Sequence, residues 1–285
     1  MRPRLLALAA ASLAAIAATS TVPATADDSS PDPLQYAALG DSYSAASAVL
    51  PLDTSNLLCA RSLRNYGHLI ADELDAELTD VTCGGALSRD ITNRDIRFNP
   101  PQLDAVTADT DLVTLTVGGN DNLTFAAAIA ACGSAGIASL GIGKPCTTLY
   151  GDLFVSSIRT SVYPQIRTAL AAIRAKAPGA TVAVLGYPTI LPPTKGCYTK
   201  LPVAPGDVPY VNQIQATVNE VVARAAADTG ATFVDFAQLS KGHDACQPAG
   251  VRWIDPLFPT TSPIHPNALG QQEMARHTLE VLGLG

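Results

Sequence analysis

Runs of apolar residues along the chain follow two spacings, one typical of buried strands and one typical of helices. Four runs are nearly continuous in apolar or β-branched residues, as in strands covered on both faces. They are YAAL at 36–39, DLVTLTV at 111–117, ATVAVLG at 180–186 and ATFVDF at 231–236. A weaker run, AELTDVTC at 76–83, lies between the first two. The pattern therefore predicts five strands.

The segments between these strands repeat apolar residues at helical spacing. Such stripes begin at Tyr66 and cover 161–179 and 212–230, and a last amphipathic stretch precedes the C-terminus. Strands that alternate with helices of this length form a parallel sheet with helices on both faces. We therefore expect an α/β fold, a three-layer α/β/α sandwich around a central five-stranded parallel sheet.

The first residues have the pattern of a cleaved secretory signal. Two arginines precede an apolar stretch at 5–18, and Ala24-Thr25-Ala26 precedes a pair of acids. The alternative is an uncleaved membrane anchor, but the apolar stretch is short for a membrane span. The sequence predicts a signal peptide over residues 1–26, a secreted, extracellular protein, and a single domain over residues 27–285.

Charge and composition exclude one class of partner. The formal net charge is −7, and the basic residues are scattered along the chain rather than clustered. Phosphate backbones require a concentrated positive surface, so we expect no nucleic acid partner.

An even number of cysteines in an exported chain is typical of disulfides. The six cysteines are Cys59, Cys83, Cys132, Cys146, Cys197 and Cys246. Pairing them in chain order closes the shortest loops and is the preferred interpretation, although about 15 pairings are possible. The alternative is a zinc site, but the sequence has no Cys-x-x-Cys motif, and His243 is the only histidine near a cysteine. We therefore expect no metal.

Small polar turns follow three of the predicted strands, at 40–42, 83–86 and 118–121. In a parallel α/β sheet, ligands bind outside the carboxyl ends of the strands, where such turns bring backbone N–H groups close to a bound oxygen. Ser42 lies in the first turn, and His265 lies on a late loop before the last helix. A serine and a histidine are the two partners that nucleophilic catalysis needs.

Each of these residues also has a structural interpretation. Ser42 is a favoured residue type for a helix N-cap, and His265 fits a hydrogen-bonded loop histidine. Asn120 fits a turn in the left-handed conformation. Their joint occurrence in this order favours catalysis. The sequence has no Gly-x-Ser-x-Gly motif, which argues against the α/β-hydrolase fold.

These residues resemble the sequence blocks of the SGNH hydrolases, the GDSL lipases and esterases. Gly40-Asp41-Ser42-Tyr43 resembles the first block, Gly85 the second, Gly119-Asn120-Asp121 the third and His265-Pro266-Asn267 the fifth. The six cysteines and the stretch at 242–257 are similar to those of secreted actinobacterial lipases and phospholipases A1 of that family. The resemblance implies a flavodoxin-like fold.

The resemblance also implies a role for each residue and no cofactor. Ser42 corresponds to the nucleophile and His265 to the general base. The oxyanion would be held by the backbone N–H groups of Ser42 and Gly85 and by the side-chain amide of Asn120.

The loop before the histidine departs from the family pattern. Many members carry an aspartate three residues before the histidine, where this chain has Ser262. The acid of a triad holds the imidazole in the right tautomer and stabilises its charged form. Some relatives use a backbone carbonyl from this loop instead, and we expect the carbonyl of Ser262 to take that role. The alternative is Asp255, folded back onto His265.

The leading hypothesis is a secreted serine esterase that cleaves carboxylic esters of lipids, either acylglycerols or phospholipids, as a monomer with at most transient contact with lipid surfaces. The alternatives are a carbohydrate esterase that deacetylates a polysaccharide and a secreted binding protein without catalysis.

The proline-rich segment at 188–209 is long for a structureless connection. It forms either a wall or lid over the site or a surface decoration.

Overall fold

The strands lie where the apolar runs predict them. The computed structural model describes residues 32–258 and 262–285, and the predicted signal peptide lies outside these residues. The strands are β1 (Gln35–Gly40), β2 (Glu77–Asp80), β3 (Leu112–Thr116), β4 (Thr181–Leu185) and β5 (Thr232–Val234). They form one sheet in the order β2-β1-β3-β4-β5, and every neighbouring pair is parallel. This strand order is that of the flavodoxin-like folds.

Helices separate these strands along the chain. They are α1 (Tyr66–Leu74), α2 (Phe125–Ala138), α3 (Pro145–Tyr150), α4 (Leu153–Ser157), α5 (Tyr163–Lys176), α6 (Val208–Thr229) and α7 (Ala268–Leu282). A π-helical turn, Ile158–Val162, joins α4 to α5. Helix ends follow local chemistry: the Asn267 side chain caps α7 by accepting the Gly270 N–H, and α6 ends at Gly230 with a φ of 70°.

Alternate residues of the central strands face helices on opposite sides of the sheet. In β1, Ala37 and Leu39 join a core with α2, α5 and α6. Tyr36 and Ala38 join a second core with α1 and α7. The protein is therefore a three-layer α/β/α sandwich, and the predicted fold class is confirmed. Pro33–Gly285 forms one compact unit.

Three disulfides join the cysteines in chain order, which is the pairing that the short loops favour. The first ties the segment after β1 to the turn after β2, and the second ties α2 to α3. The third ties the proline-rich segment to the loop after β5. The pairs are Cys59–Cys83, Cys132–Cys146 and Cys197–Cys246.

Residues 32–258 and 262–285 lack two features of other protein classes. No helix in these ranges is long and apolar enough to cross a membrane. The same ranges hold no group of three or more histidine, cysteine, aspartate or glutamate side chains placed to hold a metal ion.

Candidate active site

Ser42 lies just beyond the carboxyl end of β1, where a glycine allows the chain to leave the sheet. Gly40 has a φ of 115°, and a Cβ there would lie 2.4 Å from the carbonyl oxygen of Thr116. The Gln102 side chain binds both backbone groups of Gly40, at 2.6 and 3.1 Å. Residues 42–48 form turns rather than a helix. The interpretation of Ser42 as a helix N-cap is therefore wrong.

The structure brings Ser42 and His265 into hydrogen-bonding contact. The distance between Ser42 Oγ and His265 Nε2 is 2.7 Å, and both residues are half-buried. The other ring nitrogen, Nδ1, lies 2.7 Å from the carbonyl oxygen of Pro263. A carbonyl only accepts, so Nδ1 carries the proton and Nε2 accepts the hydrogen bond from the hydroxyl of Ser42.

The carbonyl that supports the imidazole comes from Pro263, so the prediction of Ser262 is wrong by one residue. Ile264 has a φ of 62°, which turns the carbonyl two residues before His265 toward the ring. The side chain of Ser262 is buried, and its hydroxyl donates to the carbonyl of Ser47. Ser262 thus anchors the loop against the turn that follows Ser42.

Asp255 supports the backbone of the histidine loop and not the ring. Its Oδ1 accepts from Arg252 Nε at 2.9 Å and from Asn267 Nδ2 at 3.2 Å. Its backbone N–H donates to the carbonyl of His265, and its carbonyl accepts from Ile264, both at 2.9 Å. The two ring nitrogens of His265 instead contact Ser42 and Pro263. The alternative of Asp255 folded onto the imidazole is therefore wrong.

Each of the three predicted oxyanion donors has an N–H hydrogen available to a bound oxyanion. Within the described part of the chain, the backbone N–H groups of Ser42 and Gly85 have no hydrogen-bond acceptor. Gly85 is exposed with a φ of 77°. The side-chain amide of Asn120 donates to the carbonyl of Ala86 at 3.1 Å, which leaves its second hydrogen available. Asn120 has a φ of −100°, so the left-handed interpretation is wrong.

A buried network joins the turn after β1 to the turn after β3. Asp41 accepts from the Tyr43 N–H at 2.9 Å and from the hydroxyls of Thr116 and Tyr187, each at 2.6 Å. The Tyr187 hydroxyl in turn accepts the Gly119 N–H at 2.8 Å. Burial raises the pKa of Asp41, and these hydrogen bonds to its carboxylate oppose that rise.

A second buried carboxyl joins the turn after β3 to the turn after β2. Asp121 Oδ1 accepts the Ser88 N–H at 2.7 Å, close to Gly85 along the chain. Burial is the main cause that raises the pKa of Asp121. The sequence motifs contain Asp41 and Asp121, but nothing in the sequence assigned them these contacts. The sequence does not indicate these contacts for Tyr187, and its position two residues beyond β4 is the only signal for it.

An apolar cavity of about 400 Å³ opens beside Ser42 and His265. One stripe of α2 lines it at helical spacing: Phe125, Ala126, Ile129, Ala130, Gly133 and Ile137. Ile190, Leu201 and Pro202 form another part of its wall. A Cβ on Gly136 would lie 2.0 Å from the carbonyl oxygen of Pro202, so glycine allows α2 and this wall to approach closely. The proline-rich segment is therefore a wall of the site.

The other histidines have structural contacts elsewhere. His243 stacks on Trp253, and His68 contacts the Asn65 side chain. His277 packs edge-on against Phe236.

The burial of His265 changes its acid–base behaviour. Desolvation lowers the pKa of the imidazole, and the hydrogen bond to the Pro263 carbonyl opposes this effect. The ring is therefore neutral at neutral pH, with a free lone pair on Nε2 directed at the hydroxyl of Ser42. This is the arrangement that a general base requires.

Comparison with known proteins identifies the family. The family model of the GDSL-like lipase/acylhydrolase family matches residues 38–273. The chain belongs to this family. It is 56% identical over 255 residues to Lipase 2 of Streptomyces coelicolor, a match that covers 88% of this chain and 86% of the relative. Members of this family are carboxylic ester hydrolases, and so is this protein.

Two solved structures resemble this GDSL hydrolase closely in fold. An extracellular lipase from Streptomyces rimosus is 30% identical, with a TM-score of 0.71. Phospholipase A1 from Streptomyces albidoflavus NA297 is 27% identical, with a TM-score of 0.73. Each match covers 88% of this chain and 98% of the other. The relationship therefore extends over the whole three-layer domain.

Proposed function

We propose that this GDSL hydrolase is an exported serine esterase that cleaves lipid esters, either acylglycerols or phospholipids, through an acyl-serine intermediate. The observation that carries the proposal is the 2.7 Å contact between Ser42 Oγ and His265 Nε2 beside an apolar cavity. Ser42 is the nucleophile and His265 is the general base, with the Pro263 carbonyl holding the ring.

The reaction proceeds in two halves. Nε2 of His265 takes the proton of Ser42 as Oγ attacks the ester carbonyl carbon, and then gives that proton to the departing alcohol as the ester C–O bond breaks. A water molecule that gives its proton to His265 then attacks the acyl-serine. Release of the carboxylic acid returns the proton to Oγ. Throughout, the Pro263 carbonyl fixes the tautomer of the ring.

The oxyanion of each tetrahedral intermediate needs donors that are already in place. The N–H groups of Ser42 and Gly85 and the second amide hydrogen of Asn120 supply them in this proposal. Each such donor contributes roughly 3 to 4 kcal/mol to stabilising the transition state. Asp41 and Asp121 act as positioning residues, because they hold the three turns together.

The shape and polarity of the cavity support a lipid substrate. Aliphatic side chains, proline, glycine and alanine line most of its wall, which suits an acyl chain and offers few partners for the hydroxyl groups of a polysaccharide. Related proteins are named lipase and phospholipase A1. Export is supported by the signal-like residues 1–26 and by the three disulfides, which persist in oxidising compartments.

A chain-length series of p-nitrophenyl esters, with acetylated xylan as a second substrate, tests the proposal. We expect the highest kcat/KM with medium or long acyl chains and a loss of at least about 10³-fold in Ser42→Ala. Activity confined to acetate esters and acetylated xylan would favour the carbohydrate esterase. Absence of turnover with every ester would favour a binding protein.

A further inference from the structure

Two pairs of large apolar side chains are strongly exposed on loops near the site. Leu140 and Ile142, which we call the first rim, are 80% and 74% exposed. Ile96 and Phe98, which we call the second rim, are 82% and 79% exposed. Single exposed hydrophobic residues are ordinary on protein surfaces, whereas groups of them mark interaction sites. The position of both rims relative to the active site therefore bears on what they bind.

The rims belong to the connections that follow the two strands on either side of β1. The first rim follows Ile137, which lines the cavity and is itself exposed. Arg97 lies between the two residues of the second rim in sequence, and its side chain donates at 2.6 Å to the carbonyl of Gly84, next to Gly85. The first rim belongs to the connection after β3 and the second to the connection after β2. Because β1 lies between these strands in the sheet, the turn that carries Ser42 lies between the turns with which the two connections begin.

The first rim is uncharged and firmly held. Residues 125–143 contain no charged side chain. The disulfide Cys132–Cys146 spans the rim, and Gly141 packs against the ring of Tyr198. A loop whose backbone is already held loses little further backbone entropy when its apolar side chains enter an apolar phase.

Exposed basic residues flank the apolar side chains. Lys144 follows the first rim, and Arg94 precedes the second. Apolar side chains with cations beside them match the layered chemistry of a phospholipid surface, in which acyl chains lie beneath phosphate groups. The net charge of −7 opposes binding to a strongly anionic surface and favours headgroups without net charge.

We propose that the two rims together dock this enzyme on a phospholipid surface with zwitterionic headgroups, so that the opening of the cavity faces the lipid. The inference rests on the proposed lipid esterase function and adds the surface by which the enzyme reaches aggregated substrate. The apolar rim side chains enter the boundary between headgroups and acyl chains. Lys144 and Arg94 remain at the level of the phosphates.

Sedimentation with phosphatidylcholine vesicles tests the docking surface. The exported chain carrying Ser42→Ala, which leaves the lipid intact, is compared with two double variants in the same background, Leu140→Ser/Ile142→Ser and Ile96→Ser/Phe98→Ser. We expect each double variant to lower the vesicle partition coefficient at least about tenfold. Partition equal to that of the parent in both variants would overturn the proposal.

The matched control is Val281→Ser/Leu284→Ser, which changes exposed apolar residues at the far end of α7. These side chains are 41% and 40% exposed. Since α7 begins shortly after His265 and rises 1.5 Å per residue, they lie about 20 Å from the site. We expect the partition of the control to stay within about twofold of the parent. A loss equal to that of the rim variants would overturn the proposal.

Hydrolysis of a soluble substrate distinguishes failure of the docking proposal from failure of the proposed function. Restored to an active Ser42 background, both rim variants should hydrolyse p-nitrophenyl butyrate at the parental rate, because neither pair lines the cavity. If the parent fails to hydrolyse this ester, the esterase function fails while the vesicle result still stands. Light scattering tests whether the rims bind a second copy of the chain instead. A dimer that is lost in the rim variants, together with absence of vesicle binding by the parent, would overturn the docking proposal.

Discussion

At the scale of residues, the support of His265 by a backbone carbonyl sets this site apart from a Ser-His-Asp triad. The Pro263 carbonyl fixes the tautomer as a carboxylate does, but it carries no net charge. It therefore stabilises the imidazolium less than an acid in the same position. The nearby carboxylate, Asp255, holds Arg252 and Asn267 instead.

Replacing Asp255 tests this division of roles. We expect Asp255→Asn to keep kcat within about tenfold of the wild type on a soluble ester, because the group bonded to Nδ1 is unchanged. His265→Ala, measured beside it, should lose at least about 10³-fold. Equal losses in the two variants would show that Asp255 acts on the imidazole.

The burial of His265 gives a pH dependence with a definite sign. Protonated imidazole cannot accept the proton of Ser42, so activity falls as the pH drops through the pKa of His265. Because desolvation lowers that pKa, kcat/KM should reach half of its plateau below the ordinary histidine value of about 6.5. A half-maximal pH above 7, measured with a short soluble ester, would contradict the burial of a neutral ring.

The sequence predicts the identity of the contacting pair better than the local geometry around it. Ser42 and His265 follow from residue types and their order. The choice of Pro263 over Ser262 depends on the positive φ of Ile264, a conformation that β-branched residues rarely adopt and that no sequence pattern indicates.

At the scale of elements, buried strands are the most predictable part and α2 the least. Continuous apolar runs mark β1, β3 and β4, since both faces of these strands are covered. The segment between β3 and Cys146 is rich in alanine, glycine and serine and is not among the predicted helical stripes, yet residues 125–138 form α2. Alanine strongly favours helix, but a stripe of small residues gives little amphipathic signal.

In the proposed function, the small residues of α2 leave room for the acyl chain, so enlarging one of them should shorten the preferred substrate. Ala130 lines the cavity and is exposed. We expect Ala130→Leu to lower kcat/KM for p-nitrophenyl palmitate at least about tenfold while butyrate changes less than about twofold. The measurement is the same chain-length series.

A control on the same helix isolates the steric effect. Ala138 is exposed at the end of α2 and does not line the cavity. Ala138→Leu should leave the chain-length profile unchanged. If Ala130→Leu leaves it unchanged as well, the acyl chain binds elsewhere.

At the scale of the whole molecule, strand order explains how distant sequence blocks meet. The turns after β2, β1 and β3 are neighbours because these strands are adjacent in the sheet. The alternation of strands and helices predicts a parallel sheet, whereas the order of its strands follows from packing between distant segments. The late loop of His265 reaches the same edge through Gln271, whose amide donates to the carbonyl of Tyr43 at 2.9 Å.

The disulfide between Cys197 and Cys246 links the cavity wall to the loop after β5. It closes a loop of 49 residues, and chain-entropy arguments assign such a cross-link roughly 4 kcal/mol of stability. We expect Cys197→Ala/Cys246→Ala to lower the free energy of unfolding by about this amount in urea denaturation. A change below about 1 kcal/mol would show that the wall is held by its other contacts.

The central claim is that His265 activates the hydroxyl of Ser42. The most direct measurement is the rate of labelling by a fluorophosphonate probe, with the modified residue located by peptide mass. We predict a single adduct on Ser42 in the wild type, none in Ser42→Ala, and labelling at least about 100-fold slower in His265→Ala. An adduct on another residue, or equal rates in the wild type and His265→Ala, would contradict the account.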